Sequence, residues 1–402
     1  MRNRMILLFI CLVFLFVACG KTSEQDIENA IATNNVKEFD KLIKNYDFEN
    51  IDTVLFRATQ ENALDIVKYI IPKIKNINFP DKDNQTPLFW ATYNNNLEMV
   101  KLLVENGANI ETFSTLKLNA ISISIRNSNN EIFSYLINKT RSLEITNEIG
   151  NTYAMIASGS GNMYALQELN KRGALLDSID NSGFSAFLYA VLYNQLETTK
   201  FLINKKVNID IQNSKKANAL MLSLANKNEE ISQLLINSKI DTATKDYLGR
   251  TSLQYALSNN QTKIAKLILE QGANSNSKDL EGFFPLYNAV ESGNIENVIL
   301  LLTYRCNINN LISSGANCLM QAISLDLFKI ADYLIKQGIS LNIQDNQGRT
   351  ALHFAVHKNQ PEIVKLLLGH GADKSIKDKD GKTALDYAKE YKYDEIIKIL
   401  GK

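Results

Sequence analysis

Between Gly348 and Asp373 the apolar positions fall at helical spacing twice, with a polar break between the two runs. Leu352, Ala355 and Val356 share one face of a short helix that Thr350 is suited to cap. The run stops at Lys358-Asn359-Gln360, and Pro361 then stands where proline best opens a helix. Ile363, Val364, Leu367 and Leu368 give this second helix its apolar side, and Gly369 and Gly371 supply the positive φ that closes it. The stretch therefore predicts a helix hairpin that buries one face of each helix.

Units of 33 residues place Asn317, Phe284, Thr251, Asn218, Ser185, Thr152, Asn119, Thr86 and Thr53 before Thr350 and Thr383 after it, eleven anchors in unbroken register. Five residues past each anchor the side chain is small: Ala58, Ala91, Ser124, Ala157, Ala190, Ser223, Ala256, Ala289, Ala322, Ala355 and Ala388. Helix must approach helix closely there. Two residues before seven of the anchors stands glycine, from Gly150 and Gly183 to Gly348 and Gly381, as a tight hairpin with positive φ requires. The segments T-A-L-H-F-A, E-I-V-K-L-L-L and G-A-D of the Thr350 copy, taken with this period, resemble the ankyrin repeat.

That resemblance implies an all-α repeat solenoid over residues 28–402, about eleven helix-turn-helix units linked by β-hairpin loops. Its short first helices and hairpins are expected to line a concave face, with the second helices as the back. The anchors at Thr53, Asn119 and Asn218 lack the turn glycine, so irregular hairpins are expected before them, whereas Asn84 tolerates the same backbone before Thr86. Ile27, Ala30, Ile31, Phe39, Leu42 and Ile43 mark an N-terminal capping helix pair, and the charged run from Lys389 to Glu395 suits a C-terminal cap. With 5 prolines and no Gly/Pro-rich interruption, the array reads as one elongated domain, a curved rod on the order of 100 Å long.

Residues 1–20 follow another pattern. Arg2 and Arg4 precede an uncharged run from Met5 to Ala18, followed by Cys19-Gly20-Lys21. The run is shorter than the ~20 residues that cross a bilayer as a helix, and it reads as a secretion signal. Phe16-Val17-Ala18-Cys19 is similar to a bacterial lipoprotein signal. This implies removal of residues 1–18, lipidation of Cys19, a tether over residues 19–27 and a place at a bacterial cell envelope, periplasmic or surface-exposed. An uncleaved anchor and ordinary secretory cleavage are the alternatives. Several acyl chains on one cysteine hold a protein firmly where a single chain is marginal.

Charge and chemistry narrow the function. Lys and Arg number 44 against 43 Asp and Glu, and no basic stripe is present, so nucleic acid is not an expected partner. The pairs Lys205-Lys206 and Lys215-Lys216 read as solvated loops. Cys306 and Cys318 sit at the two ends of one hairpin excursion, where a disulfide is possible and where a small side chain is in any case required. His353 and His357 lie four apart on a helix, but Phe354 stands where a helical zinc-protease motif has glutamate, and His353 fills the histidine position of the repeat, which orders the hairpin. No nucleophile elbow or phosphate-binding glycine loop is present, and neither metal, cofactor nor small-molecule substrate is expected.

In ankyrin-like proteins the residues that meet partners lie just before the anchor and seven or eight positions after it. Here those positions, with the hairpin tips, hold Tyr93, Leu116, Leu118, Phe184, Leu192, Tyr193, Tyr247, Leu248, Phe283 and Leu325, with Arg250 and Arg349 as possible contacts for a partner's carboxylates. Packing between adjacent hairpins is the competing explanation for any one of them. The expected function is a non-catalytic protein-binding scaffold on the cell envelope. An inhibitor or immunity-type protein covering one enzyme, and a secreted protein acting on host proteins, are the alternatives.

Overall fold

The computed structural model describes residues 23–44 and 51–401. Contacts gather the chain into two compact units, one ending at Arg141 and one starting at Ser142. Each is a two-layer stack. In the second unit eight helix pairs run from Tyr153–Ser160 with Met163–Lys171 to Ala384–Glu390 with Asp394–Leu400. Along this stack each first helix packs on the first helices before and after it, and from Leu196–Asn204 onward each second helix packs on its neighbouring second helices. The first unit repeats the arrangement, from Glu24–Ala32 with Val36–Ile43 to Ala120–Arg126 with Asn130–Ile137.

The small residue five positions past the anchor makes this stacking possible. All eleven, from Ala58 to Ala388, have no solvent exposure. The two serines keep their hydroxyls satisfied within the helix, Ser124 Oγ donating to the Ile121 carbonyl at 2.7 Å and Ser223 Oγ to that of Leu220 at 2.9 Å. The N-terminal pair forms as expected with Ile27, Ala30, Ile31 and Phe39 buried, but its first helix opens at Glu24 under a Ser23 cap, taking in residues read as tether. Thr53 is not a cap: it lies inside Ile51–Gln60. Phe284 has no capping side chain to offer and is fully buried, trading the cap for core.

The hairpins rest on a device the anchor pattern did not reveal. Five residues before the anchor an Asp or Asn accepts two backbone N–H groups from the turn. Asp246 Oδ1 takes those of Leu248 and Arg250 at 2.9 and 2.8 Å, and Asn213, Asp180, Asp279, Asp345 and Asp378 do the same in their own hairpins. Each hairpin is then tied to the one before it, as where the Tyr247 N–H donates to the Lys215 carbonyl at 3.0 Å and the Leu280 N–H to that of Leu248 at 2.9 Å. Single antiparallel bridges close four of them, Ile179 to Ser185 among these.

Two glycine-free hairpins are regular, contrary to the sequence expectation. Lys117 and Lys216 occupy the glycine position with φ of 62° and 55°, and the turn bonds persist, Lys216 N–H donating to the Asn213 carbonyl at 2.7 Å. The tie to the neighbouring hairpin overrides the local preference, at about 1–2 kcal/mol for a left-handed residue that bears a Cβ. Lys216→Gly is therefore expected to stabilise the second unit by up to about 1 kcal/mol, since glycine's unfolded-state entropy offsets part of the relief. Urea unfolding measures it; a loss of stability would show that Lys216 is not strained.

Candidate functional site

In the second unit, hairpins and first helices display their side chains on one face, and repetition places residues 33 apart next to one another. Three consecutive hairpins enclose a groove of about 390 Å³. Phe184, Tyr247 and Tyr255 form aromatic sides, Ala217 and Leu222 contribute apolar surface, and Lys215, Arg250, Ser182 and Ser214 supply the polar rim. Tyr247 is 51% exposed, whereas Phe184 is half-buried against Tyr189, the ring centroids 5.4 Å apart.

The Arg250 side of the groove is rigid. Asp246 Oδ2 accepts Arg250 Nε and the Tyr255 hydroxyl, both at 2.9 Å, while the guanidinium lies 4.7 Å over the Tyr255 ring. Burial alone raises the Asp246 carboxyl, but hydrogen bonds from the Arg250 side chain and backbone and from Tyr255 outweigh it and hold it below the ordinary carboxylate value. Burial, reinforced by the bond to Asp246, pushes Tyr255 up to about 12, so the phenol stays a donor. Asp345 and Arg349 repeat the pair, with Nε and Nη2 at 2.9 and 2.7 Å from Oδ2 and the guanidinium 4.6 Å over Phe354.

Both arginines thus do bind carboxylates, but each binds the aspartate four residues earlier in its own hairpin. They are internal braces first, correcting the view of them as free contacts for a partner.

Of the sequence-predicted residues, Phe184, Tyr247 and Arg250 meet in the groove. Tyr193, 56% exposed, stacks on Tyr189, which in turn packs on Phe184. Its ring passes so close to Gly159 that a Cβ there would stand 3.1 Å from it, so neighbouring-repeat packing explains part of its place. Leu248 is half-buried beside the groove, and Phe283 is half-buried and stacked on Tyr287 at 4.7 Å. Leu325 is exposed at the end of Cys318–Ser324, and Arg349 lies with Phe354 near the C-terminal end. Tyr93 belongs to the first unit, where it packs against Trp90 at 5.6 Å.

Sequence reasoning missed Lys215, read as a solvated loop, and the ring four residues past the anchor at Tyr189, Tyr255, Phe354 and Tyr387. The same register of 33 carries that second signal.

His353 holds the role assigned to it. It accepts the Thr350 N–H at Nδ1 (3.1 Å), which puts the ring proton on Nε2, 3.2 Å from the Lys382 carbonyl of the next hairpin. Burial lowers its pKa. Cys306 and Cys318 are buried free thiols rather than a disulfide, and burial pushes Cys306 up to about 12. Among the described residues no group of three or more His, Cys, Asp or Glu could hold a metal ion, and no helix is long and apolar enough to cross a membrane. Cys19 lies outside the described residues.

The family model described as "Ankyrin repeats (3 copies)" matches residues 27–114, 120–213, 187–279, 271–345 and 319–402. No curated protein matches the chain.

Proposed function

Because the chain belongs to the ankyrin-repeat family, whose members are protein-binding scaffolds and typically not catalysts, we propose that it holds a protein partner in the groove between Phe184 and Tyr255 while anchored to a bacterial cell envelope through Cys19. One observation carries the reading: exposed Tyr247 and half-buried Phe184 line the same groove, next to an arginine already fixed by its own aspartate. Rigid aromatic side chains lose little entropy on binding and dominate the energy of protein interfaces. Lys215, exposed in the rim, adds a charge that the Asp246–Arg250 pair does not cancel, and it favours an acidic segment.

The test is capture from solubilised envelopes with the full chain and with a Phe184→Ala, Tyr247→Ala variant. Each ring is worth about 2 kcal/mol if it is a hot spot, so recovery of the partner falls at least tenfold. Equal recovery removes the groove from the function. One stoichiometric partner marks an inhibitor, several weak ones a scaffold. Cys19→Ala is expected to abolish palmitate incorporation and release the chain from the membrane fraction; an unchanged fraction argues for an uncleaved anchor.

A further inference from the structure

Near the C-terminal end of the second unit a smaller cup opens between three first helices, Cys318–Ser324, Ala351–His357 and Ala384–Glu390, and the residues that flank them. Its volume is about 230 Å³, below the roughly 300–1,000 Å³ of sites that take a whole drug-sized molecule. It has room for about one residue.

Its walls are aromatic. Phe354 carries the Arg349 guanidinium on its face, Tyr387 and Tyr391 stack with centroids 5.9 Å apart, and His357 meets Tyr391 edge to face at 5.9 Å. Its formal charges have one sign: the lining contains Arg349 and Lys358, with two imidazoles beside them, and no carboxylate. The acids nearby are already engaged. Asp345 is saturated by Arg349 and its own turn, Asp326 is paired with Lys358 at 2.9 Å, and Glu390 with Lys382 at 2.5 Å.

Donors, by contrast, remain. Arg349 uses Nε and Nη2 on Asp345, which leaves Nη1 uncommitted. The Ser324 hydroxyl has no partner among the described residues, and His357 spends only Nδ1, in a 3.4 Å contact with the Tyr391 hydroxyl. A carboxylate only accepts hydrogen bonds, and it complements such a set.

Carboxylate donors and ring walls within one residue's volume decide the ligand. An internal Asp or Glu brings the carboxylate without the ring; an internal Phe or Tyr brings the ring without the carboxylate. Only the last residue of a polypeptide, when its side chain is large and apolar, carries both. We propose that this cup binds the free C-terminus of a partner polypeptide, with the apolar side chain against Tyr387, Tyr391 and Phe354 and the carboxylate on His357, Arg349 and Ser324. This deepens the protein-binding reading, on which it rests, but uses a different part of the surface from the groove.

The chain has three histidines, so the imidazole proton signals of the histidine-labelled full chain give a direct readout. The probe is a synthetic pentapeptide ending in phenylalanine, as the free acid and as the C-terminal amide, at up to about 10 mM. The acid is expected to move the His357 signal and leave exposed His370 unmoved, with the amide at least about tenfold weaker. His357→Ala and Tyr391→Ala, both at exposed positions, each weaken the acid about tenfold or more without loss of fold.

Equal binding of acid and amide, equal binding of a peptide with an internal glutamate, or free phenylalanine binding as tightly as the peptide overturns the proposal. So does a His357 signal that never moves. Because the probe is synthetic, its failure beside successful groove-dependent capture removes the cup alone. Success beside failed capture removes the groove and the envelope partner.

Discussion

An aspartate in place of Ala256 is expected to open the middle of the second unit while the outer repeats stay folded. Ala256 is fully buried on Ser252–Ser258, which is packed between Ala219–Ala225 and Pro285–Glu291. A carboxylate introduced at such a contact is buried without a partner, and leaving a charge unpaired in a core costs about 3–5 kcal/mol. In a repeat stack each unit's stability comes from itself and its neighbours, so the cost falls on about three repeats.

Native-state hydrogen exchange reads this directly. Protection is lost in those three first helices and kept in Tyr153–Ser160 and Ala384–Glu390. Equal loss everywhere in the unit would mean that it unfolds as one body and that the nearest-neighbour account is wrong. Ala256→Ser is the control, since Ser124 and Ser223 already occupy the equivalent position with their hydroxyls bonded within the helix. Its expected cost is below about 1 kcal/mol.

Asp246 separates the two jobs of its carboxylate. Asp246→Ala strands two backbone donors, the Tyr255 hydroxyl and Arg250 at once, for an expected loss of about 3 kcal/mol or more. Asp246→Asn keeps an amide oxygen for the turn, as Asn213 does naturally with 2.9 and 3.0 Å bonds from Lys215 and Ala217, but its NH2 replaces the oxygen that accepts Arg250 Nε and the Tyr255 hydroxyl, so the charge and those two bonds are lost together. About 1–2 kcal/mol is the expected difference from the wild type.

The sign of the pH dependence follows from the depressed carboxyl. Its folded value lies below the unfolded value near 3.9, so its contribution is complete above that pH and is lost as the pH falls through the folded value. The gap between wild type and Asp246→Asn should thus be constant near neutrality and close below about pH 4. Asp345 and Asp378, also held low by hydrogen bonds that outweigh their burial, add losses of the same sign in the same acid window. A gap that persists at low pH would mean that the pair contributes through shape and not charge. Urea unfolding across pH measures both effects.

The repeat was legible because its demands are local and recur. A buried alanine every 33 residues, a cap at most anchors and a turn with positive φ are each forced by backbone geometry, and all could be assigned by counting. The misreadings came where contact with a neighbour outranked the local signal. Lys216 keeps a glycine's conformation because hairpins on either side hold it, Lys117 does so with its hairpin tied to the one before it, and Thr53 lies within a helix that the anchor rule would have started three residues later.

The candidate site was legible only in part for the same reason. Counting from the anchor found Phe184, Tyr247 and Arg250, since position in the repeat dictates which face a side chain takes. Counting could not show that Arg250 is already bound to Asp246, that Lys215 joins the rim, or that Ser324, His357 and Tyr391 surround one cup. The sequence by itself determined the repeat, its core and the face on which side chains are displayed, because these depend on spacing within one unit of 33 residues. Which of those side chains are free to bind was decided by the tertiary structure alone, because residues from successive repeats come within hydrogen-bonding and stacking distance only when the units are stacked.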